Sequence, residues 1–378
     1  MPKLLYITTQ DKFFLSHIKE RAVYARSKGF TVYVAAQRTS DEYVRRIKSL
    51  GFQFFDTQIE RQEINPISIF KSIYKLLTIY KSIKPDIVHQ LGAKAIILGT
   101  FARLLAGLDG STGIINAPIG MGYIFASRDL KAALLRPLVQ KLYELTLNPK
   151  KSEVIFENHE DLNFFVNMGA LNANFAHCIY GAGVDTKVYV PSEAKNNVFT
   201  VVMASRLIKE KGVFEFYKAA KYLKENNIKI RMQLIGVPDY GNPSSLTKEE
   251  FDTIASDGAV ECLGYREDVA EILKKAHVCC LPSYYREGLP RCLIEGASCG
   301  LAIVTTDTIG CRETVIDKQN GYLILPKSIK SLVTAIENLA KDSEKVKKMG
   351  VESRKLALAK FDTELICSKT YAVYLKFL

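Results

Sequence analysis

The chain has 378 residues, of which 48% are hydrophobic and 24% are charged, with no low-complexity tract and no internal repeat. A chain of this length is expected to fold as two or more domains. No apolar run reaches the roughly 18 residues that a membrane-spanning helix needs, and the first residues lead into a strand-like segment without a signal-peptide pattern. We therefore expect a cytoplasmic protein that does not cross a membrane.

The net charge of +12 is unevenly distributed along the chain. Residues 1–190 contain 24 Lys and Arg against 16 Asp and Glu, whereas the remainder contains 28 against 24. A basic first half predicts an anionic partner, such as nucleic acid, phospholipid headgroups or a phosphorylated acceptor. There is no zinc-finger spacing, RNA-recognition signature or basic run with interleaved aromatics, so we expect no nucleic-acid partner. A phosphate-bearing ligand or an anionic membrane surface is favoured.

Short apolar strands alternate with helical segments along the first half of the chain. Their β-branched, near-continuous apolar character is typical of a parallel sheet covered by helices on both faces. The predicted strands are Leu4–Thr8, Thr31–Ala35, Gln53–Phe55, Asp86–Gln90, Gly113–Ala117, Glu153–Glu157 and Cys178–Tyr180.

The same alternation restarts after the polar stretch 191–197. We therefore predict two tandem Rossmann-like, doubly wound α/β domains, residues 1–185 and 195–360. The carboxyl ends of both sets of strands are expected to face a cleft between the domains. The predicted strands of the second domain are Phe199–Ala204, Ile230–Ile235, Val260–Leu263, Val278–Leu281, Ala302–Thr305 and Gly321–Ile324.

The most informative segment spans residues 282–297, where a loop is followed by a helix predicted to start near Pro290. Backbone amides from Gly288 onward, with the positive end of the helix dipole, provide a site for a diphosphate. Glu287 precedes the helix and can reach a sugar. Glu295 lies eight residues further on, inside the helix, and can bind two vicinal ribose hydroxyls. The alternative for each carboxylate is a solvated surface position.

Two cations follow the first strand of the second domain. Arg206 and Lys211 are expected at its carboxyl end, where a doubly wound domain binds its ligand. Fixed cations there can neutralise the charge that develops on a departing nucleotide diphosphate, which is the task of a metal ion in other transferases. The sequence has no Asp-x-Asp metal motif, and we expect no metal and no other cofactor. A solvated turn is the alternative.

Two further segments follow strands of the second domain. Tyr265 and Arg266 are expected to hold the base of the nucleotide through a stacked ring and backbone atoms. The segment 307–313 either contacts the transferred sugar or forms a structural turn with an Asp cap.

These motifs resemble the donor-binding signature of the retaining family-4 glycosyltransferases of the GT-B fold. The segment 183–191 also resembles the interdomain linker of that family. The matching pieces of the signature are Glu287-Gly-Leu-Pro with Glu295, Arg206 with Lys211-Gly212, and Asn320-Gly321-Tyr322-Leu323.

The resemblance implies a role for each matching residue. Arg206 and Lys211 are expected to grip the diphosphate. Glu287 is expected to contact the donor sugar, and Glu295 to bind the ribose. The backbone at Gly288, Leu289 and Pro290 is expected to contact phosphate. The resemblance also implies a metal-independent reaction with retention of anomeric configuration, and a segment 361–378 that packs back across the first domain.

The first domain resembles the branch of this family that builds lipid-linked glycans, such as capsule, O-antigen and bacterial N-glycan transferases. The matching pieces are Phe14-Leu15-Ser16-His17, Pro85-Asp86-Ile87-Val88-His89, Gly120-Met121-Gly122-Tyr123 and Val154-Ile155-Phe156-Glu157-Asn158. Candidates for acceptor or cleft contacts are therefore His17, His89, Gly120 and Gly122, with a purely structural role as the alternative for both histidines.

Two departures from the family pattern concern this domain. The segment 8–11 lacks the Gly-Gly turn of many members, and Ile119 stands where many members place a histidine. A catalytic histidine therefore cannot be carried over from the family.

Two basic segments of the first domain have amphipathic patterns. The segment Ile67–Lys84 carries one apolar face opposite Lys71, Lys75 and Lys84, which is more typical of an ordinary helix that covers a sheet. The segment Ser127–Lys151 combines leucines with basic residues, and here the pattern favours contact with a membrane or with the acceptor diphosphate. Its basic residues are Arg128, Lys131, Arg136, Lys141, Lys150 and Lys151.

We therefore expect a glycosyltransferase that moves a sugar from a UDP-sugar, bound by the second domain, to a polyprenyl-diphosphate-linked acceptor, bound by the first. It is expected to work at the inner face of the cytoplasmic membrane by front-face displacement. Two alternatives remain open: a nucleotide-sugar epimerase on the same fold, and a non-catalytic membrane scaffold that binds nucleotide sugars.

Overall fold

The computed structural model describes residues 1–59, 65–108, 110–119, 130–148 and 150–378. These residues form two compact units. The first unit comprises Met1–Ala182 with Glu364–Leu378, and the second comprises Gly183–Thr363. None of the helices in the described ranges is both long enough and apolar enough to span a bilayer.

The first unit is built on a parallel sheet with the strand order β3-β2-β1-β4-β5-β6-β7. β1 pairs with both β2 and β4, so the direction of winding reverses between β1 and β4. The strands are β1 Lys3–Gln10, β2 Thr31–Gln37, β3 Gln53–Asp56, β4 Ile87–Leu91, β5 Gly113–Ala117, β6 Ser152–Phe156 and β7 Ala176–Cys178.

Helices cover both faces of this sheet, which explains why β4, β5 and β6 are buried at every residue. Ile366, Val373 and Tyr374 of the C-terminal helix join the core of the first unit. The longer helices of this unit are Lys19–Ser27, Asp41–Ser49, Pro66–Ile83, Ala93–Leu105, Leu130–Leu147, His159–Asn167 and Thr363–Leu375.

The second unit contains a parallel sheet with the strand order β10-β9-β8-β11-β12-β13. Its strands are β8 Phe199–Ala204, β9 Ile230–Ile235, β10 Glu261–Gly264, β11 Val278–Leu281, β12 Ala302–Thr306 and β13 Gly321–Ile324. Its longer helices are Val213–Glu225, Lys248–Asp257, Val269–Lys275, Arg291–Ser298, Ile329–Ala340 and Ser343–Leu356.

The prediction of two doubly wound α/β domains is confirmed by these two sheets. Every predicted strand has a counterpart in the described residues. The strand predicted at Cys178–Tyr180 lies two residues earlier, at Ala176–Cys178. Strand ends shift by one or two residues elsewhere because an apolar pattern marks burial rather than the last ladder hydrogen bond.

Candidate active site

The sequence-predicted donor residues lie at one edge of the second sheet. Parallel strands place their carboxyl ends at the same edge, which is the ligand-binding edge of doubly wound domains. Arg206 follows β8, Tyr265 follows β10, and Glu287 lies in the loop after β11.

Lys211 and Glu287 form an ion pair at this edge, with 2.5 Å between Nζ and Oε1. The two side chains are only 14% and 11% exposed, so water screens the pair less than it would a surface pair. The Ser283 hydroxyl also donates to Glu287 Oε1, at 2.9 Å. The cluster therefore holds one cation and one carboxylate in fixed positions.

Two glycines allow the loop that carries Glu287 to pack closely against neighbouring backbone. Gly310 has a φ of +81°, and a Cβ there would lie 2.5 Å from Glu287 O and 2.6 Å from Gly288 O. Gly212 has a φ of +78°, and a Cβ there would overlap Pro282 O. A side chain at either glycine would displace the loop and move the Glu287 carboxylate.

The helix after this loop spans Arg291–Ser298 and begins one residue later than the sequence pattern predicts. Pro290 is its N-cap, with an extended ψ of 115°, rather than its first helical residue. Leu293 N–H donates to Pro290 O at 3.2 Å, which closes the first turn. Gly288 and Leu289 directly precede this positive end of the helix, where an anion is stabilised.

Glu295 is buried in the middle of this helix, with 7% of its surface exposed. Arg291 donates to its Oε1 at 3.0 Å, and Tyr189 lies near the same carboxyl group. Burial raises the pKa of Glu295, and the nearby Arg291 guanidinium opposes this rise. Tyr189 belongs to the segment before β8 and went unnoticed as a site residue, because only its hydroxyl distinguishes it from a packing aromatic.

The remaining donor candidates are more exposed. Arg206 pairs with Asp239 at 2.8 Å, and its side chain is 50% exposed. Tyr265 is 72% exposed, which leaves its ring accessible for stacking. Arg266 makes a two-pronged contact with Asp268, at 2.7 and 2.6 Å. These exposed ion pairs contribute little to stability and can rearrange when a ligand arrives.

The structure thus brings Lys211 and Glu287 together and places Glu295 in a separate, buried contact with Arg291. Arg206 makes its ion pair with Asp239 rather than with either carboxylate of the motif. In the segment 307–313, Arg312 pairs with Asp307 at 2.7 Å. Among the residues that the structure describes, no group of three or more His, Cys, Asp and Glu side chains is arranged to hold a metal ion.

In the first unit, His89 lies in the core rather than on an exposed edge. It is fully buried on β4, and its Nδ1 is 2.9 Å from the Tyr374 hydroxyl, which in turn is 2.8 Å from the Tyr6 hydroxyl. Burial lowers the pKa of His89 well below its usual range, and the Arg21 guanidinium lowers it further. This position fits the structural alternative, because a side chain with no exposed surface cannot touch an acceptor unless the core opens.

His17 lies in a π-helical turn, Phe14–Ile18, that follows β1. Its ring stacks on Phe13 with 4.5 Å between centroids, and Ser16 Oγ is 2.7 Å from its Nδ1. It is partly exposed and stays a candidate for ligand contact. Gly120 and Gly122, the other two candidates of this domain, lie outside the described residues.

The amphipathic segments are more exposed than the sequence pattern indicates. Helix Pro66–Ile83 buries Leu76, Tyr80 and Ile83 as expected. It also exposes a second apolar stripe that the pattern did not reveal: Ile67, Phe70 and Tyr74. On helix Leu130–Leu147 the exposed apolar side chains are Leu134, Leu138 and Leu145. Residues 127–129 and the side chain of Lys131 lie outside the described part of this segment.

Comparison with solved structures shows the architecture of the whole chain. Anabaena HepE in complex with UDP-glucose matches with a TM-score of 0.79 at 18% identity, covering 100% of each chain. The lipopolysaccharide outer core galactosyltransferase WaaB in its apo form matches with a TM-score of 0.72 at 15% identity, again covering 100% of each chain. At these identities the likeness establishes the fold alone.

Comparison with protein families then matches each unit to a glycosyltransferase family model. The family model described as glycosyl transferases group 1 matches residues 186–356, and the model described as glycosyl transferase 4-like matches residues 3–158. The chain is a GT-B glycosyltransferase. The Lys211–Glu287 pair and Glu295 lie in the group 1 part of this glycosyltransferase, whereas His17 and His89 lie in the 4-like part.

Two curated relatives of this glycosyltransferase have names that describe lipid-linked sugar acceptors. One is the Campylobacter jejuni N,N'-diacetylbacillosaminyl-diphospho-undecaprenol alpha-1,3-N-acetylgalactosaminyltransferase, 28% identical over 88% of each chain. Another is the Escherichia coli UDP-Gal:alpha-D-GlcNAc-diphosphoundecaprenol alpha-1,3-galactosyltransferase, 28% identical over 73% of this chain and 72% of its own.

Proposed function

We propose that this glycosyltransferase moves a hexose-type sugar from a UDP-sugar to a polyprenyl-diphosphate-linked acceptor sugar, with retention of anomeric configuration. The observation that carries the proposal is the mostly buried Lys211–Glu287 pair at the carboxyl edge of the second sheet. The names of the two curated relatives support the acceptor class, and both describe alpha linkages.

The proposed reaction is a front-face displacement. The bond between the anomeric carbon and the diphosphate oxygen breaks, and the electron pair leaves with the diphosphate. The acceptor hydroxyl oxygen attacks the same face, and its proton passes to the departing diphosphate. The Lys211 ammonium, with Arg206, stabilises the charge that grows on the leaving group.

The two glutamates have different proposed roles. Glu287 hydrogen bonds to hydroxyls of the donor sugar, held in place by Ser283 and by the close approach of Gly310. Glu295 binds the ribose hydroxyls from inside its helix. The backbone at Gly288, Leu289 and Pro290 contacts phosphate, and Tyr265 with Arg266 holds the base. A covalent intermediate on Glu287 is disfavoured, because its carboxylate is already shared between an ammonium and a hydroxyl.

The first test is incubation with a panel of UDP-sugars, with and without a lipid-diphosphate-linked sugar acceptor. Mass spectrometry then detects the lipid products, and NMR identifies the nucleotide sugars, because epimers have the same mass. A transferase forms a glycosylated lipid only when acceptor is present. Conversion of the donor alone into a second UDP-sugar would show an epimerase. Nucleotide-sugar binding without any product would show a non-catalytic scaffold.

Transfer is also expected to survive EDTA, because Lys211 and Arg206 supply the positive charge that the leaving diphosphate needs. The measurement is product formation after exhaustive chelation, compared with the same enzyme supplemented with manganese. Loss of activity on chelation, with recovery on adding manganese, would contradict a metal-independent reaction.

We further propose that the first unit rests on an anionic membrane surface through helix Leu130–Leu147. Leu134, Leu138 and Leu145 are 83%, 59% and 61% exposed, and the exposed Lys141 lies at the same helical spacing. Basic residues near an anionic surface contribute about 1 kcal/mol each, and salt weakens this attraction.

The protein is therefore expected to sediment with anionic liposomes at low salt and to be released at high salt without detergent. The combined substitutions Lys131→Glu, Arg136→Glu and Lys141→Glu are expected to reduce sedimentation while leaving hydrolysis of the donor by water unchanged. Full sedimentation of this triple variant, or no sedimentation of the wild type, would show that the helix face is only solvated.

A further inference from the structure

A polar cavity of about 460 Å³ lies at the carboxyl ends of β2 and β3 in the first unit. None of the described residues that line this cavity belongs to the donor motifs or to the acceptor candidates derived from the sequence. We call it the β2–β3 pocket. Its polar lining includes Gln37, Arg38, Asp56, Gln58, Ser68 and Lys71.

The backbone that forms the β2–β3 pocket is held by two carboxylates. Asp11, fully buried after β1, accepts hydrogen bonds from Thr39 N at 2.8 Å and from the Thr39 hydroxyl. Asp56 accepts from the backbone N–H of Arg38 at 3.2 Å and of Gln58 at 3.1 Å. The walls are therefore fixed by the chain itself before any ligand arrives, which lowers the entropic cost of binding.

The side chains of the pocket combine two kinds of recognition chemistry. Arg38 and Lys71 provide a guanidinium and an ammonium, the groups that proteins use to bind phosphate oxygens. Asp56 with the amides Gln37 and Gln58 provides the planar polar groups that bind sugar hydroxyls. The Arg38 side chain is 54% exposed and pairs with Asp41, whose side chain is 67% exposed. An incoming phosphate can therefore compete with Asp41 for the Arg38 guanidinium.

An apolar stripe begins at this pocket and continues along helix Pro66–Ile83. Ile67 lines the pocket and is also the first residue of the exposed stripe, followed by Phe70 and Tyr74. These three side chains are 65%, 72% and 69% exposed, and their spacing places them on one face of the helix. The β2–β3 pocket, with its two cations, thus adjoins an exposed apolar stripe.

We propose that the β2–β3 pocket binds the glycosyl diphosphate head of a prenyl-linked acceptor. Arg38 and Lys71 bind the diphosphate, while Gln37, Asp56 and Gln58 bind the attached sugar. The first part of the prenyl chain lies along the stripe formed by Ile67, Phe70 and Tyr74. This assignment rests on the proposed function and names the acceptor site of that reaction.

The test uses farnesyl diphosphate, a short prenyl diphosphate without a sugar, and measures its binding by calorimetry with UDP at saturation. Saturating UDP occupies the donor edge of the second unit, so that Lys211 and Arg206 do not capture the probe. The combined substitutions Arg38→Gln and Lys71→Gln are expected to weaken farnesyl diphosphate binding at least tenfold. UDP binding and the thermal melting curve should be unchanged.

The matched control is Arg45→Gln with Lys48→Gln. It also removes one guanidinium and one ammonium, but from exposed positions of helix Asp41–Ser49 in the same unit. This control should bind farnesyl diphosphate within twofold of the wild type. The pair Phe70→Ser and Tyr74→Ser should weaken farnesyl diphosphate binding while leaving inorganic pyrophosphate binding unchanged. That difference separates the apolar stripe from the diphosphate site.

Three outcomes would overturn the assignment. One is farnesyl diphosphate binding that the Arg38/Lys71 variant retains, and another is equal weakening by the Arg45/Lys48 control. The third is a loss of binding to phosphatidylglycerol vesicles in the Arg38/Lys71 variant that is as large as its loss of farnesyl diphosphate binding. That result would show a general phospholipid site. Failure of the proposed function is distinguishable, because the wild type would then bind farnesyl diphosphate as expected yet form no glycosylated lipid from any UDP-sugar.

Discussion

The carboxyl edges of the two sheets use their polar residues in different ways. In the second unit, the charges of Lys211 and Glu287 are paired and mostly buried. The loop that carries Glu287 packs closely against Gly310, which fixes its position. In the first unit, His89 is buried against the Tyr374 hydroxyl, and the cations of the β2–β3 pocket are exposed. One edge is built around a mostly buried ion pair, and the other around a buried histidine and an open polar cavity.

This difference fits the proposed roles of the two units, with the donor bound by the second unit and the acceptor by the first. Every nucleotide sugar presents a diphosphate and a ribose, so charged partners at fixed positions suit all of them. Acceptor sugars differ in the arrangement of their hydroxyls, so the groups that recognise them need not follow a shared spacing. A largely exposed pocket can change its side chains without disturbing the core that holds the sheet together.

Removing the charge at Lys211 should produce the largest effect and tests whether the donor edge depends on fixed charge. Lys211→Ala deletes the cation next to the leaving group and leaves the Glu287 carboxylate mostly buried without its partner. Loss of one such group typically costs about 100- to 1,000-fold in turnover. The measurement is steady-state transfer of sugar to the lipid-linked acceptor.

Lys209→Ala is the matched control for this prediction. Lys209 lies two residues before Lys211 and pairs with Glu250 at 2.7 Å. Its side chain is 41% exposed. Its loss should change turnover by less than about threefold, as is usual for an exposed ion pair. Equal losses for the two variants would mean that general damage to this turn, rather than the missing charge, reduces activity.

The sequence alone predicts most of the proposed donor edge, because its candidate residues follow apolar strands. Glu287, Glu295 and Gly212 could be placed beside the second sheet in that way. The approach of Tyr189 to Glu295 could not be predicted, since it brings together residues 106 positions apart.

The first unit was harder to interpret from the sequence. The two α/β sheets follow from strand periodicity, but burial of His89 depends on the C-terminal helix that supplies Tyr374. The exposed stripe of Ile67, Phe70 and Tyr74 was missed because an apolar residue on a helix usually faces a core. Only the packed structure shows which of the two apolar faces is covered.

Neutralising Glu295 tests whether the donor edge trades stability for binding. Glu295→Gln should weaken UDP binding by about 10- to 100-fold, because a charge-assisted hydrogen bond contributes about 1.5–3 kcal/mol. Since burial raises the pKa of Glu295, its charged form disfavours folding at pH values above the normal carboxyl range. The variant should therefore resist denaturant better than the wild type at pH 7. Unchanged UDP affinity, measured by calorimetry, would remove Glu295 from the ribose site.

Substituting Gly310 tests whether the position of the loop that carries Glu287, apart from its charge, limits turnover. Gly310→Ala should lower turnover by roughly tenfold, because its methyl group would meet the carbonyl oxygens of Glu287 and Gly288. Gly258→Ala is the matched control, since Gly258 also has a positive φ, of +70°, but a Cβ there meets only the flexible end of Lys224, at 3.4 Å. Both variants carry backbone strain, and only Gly310→Ala moves the loop. Equal turnover of the two variants would show that the position of the loop does not matter.

The smallest expected effect concerns the buried His89 of the first unit. Because burial lowers the pKa of His89, the unfolded chain binds a proton there that the folded chain does not, from about pH 6.5 downward. Stability should therefore fall with decreasing pH below that value, by at most about 1.4 kcal/mol per pH unit for one proton. His89→Gln should reduce this dependence, whereas His159→Gln, at an exposed position of the same unit, should leave it unchanged. Urea unfolding followed by circular dichroism suits a chain without Trp. A pH dependence that is identical in wild type and His89→Gln would place the titrating group elsewhere and weaken the contrast between the ion pair of the second unit and the buried histidine of the first.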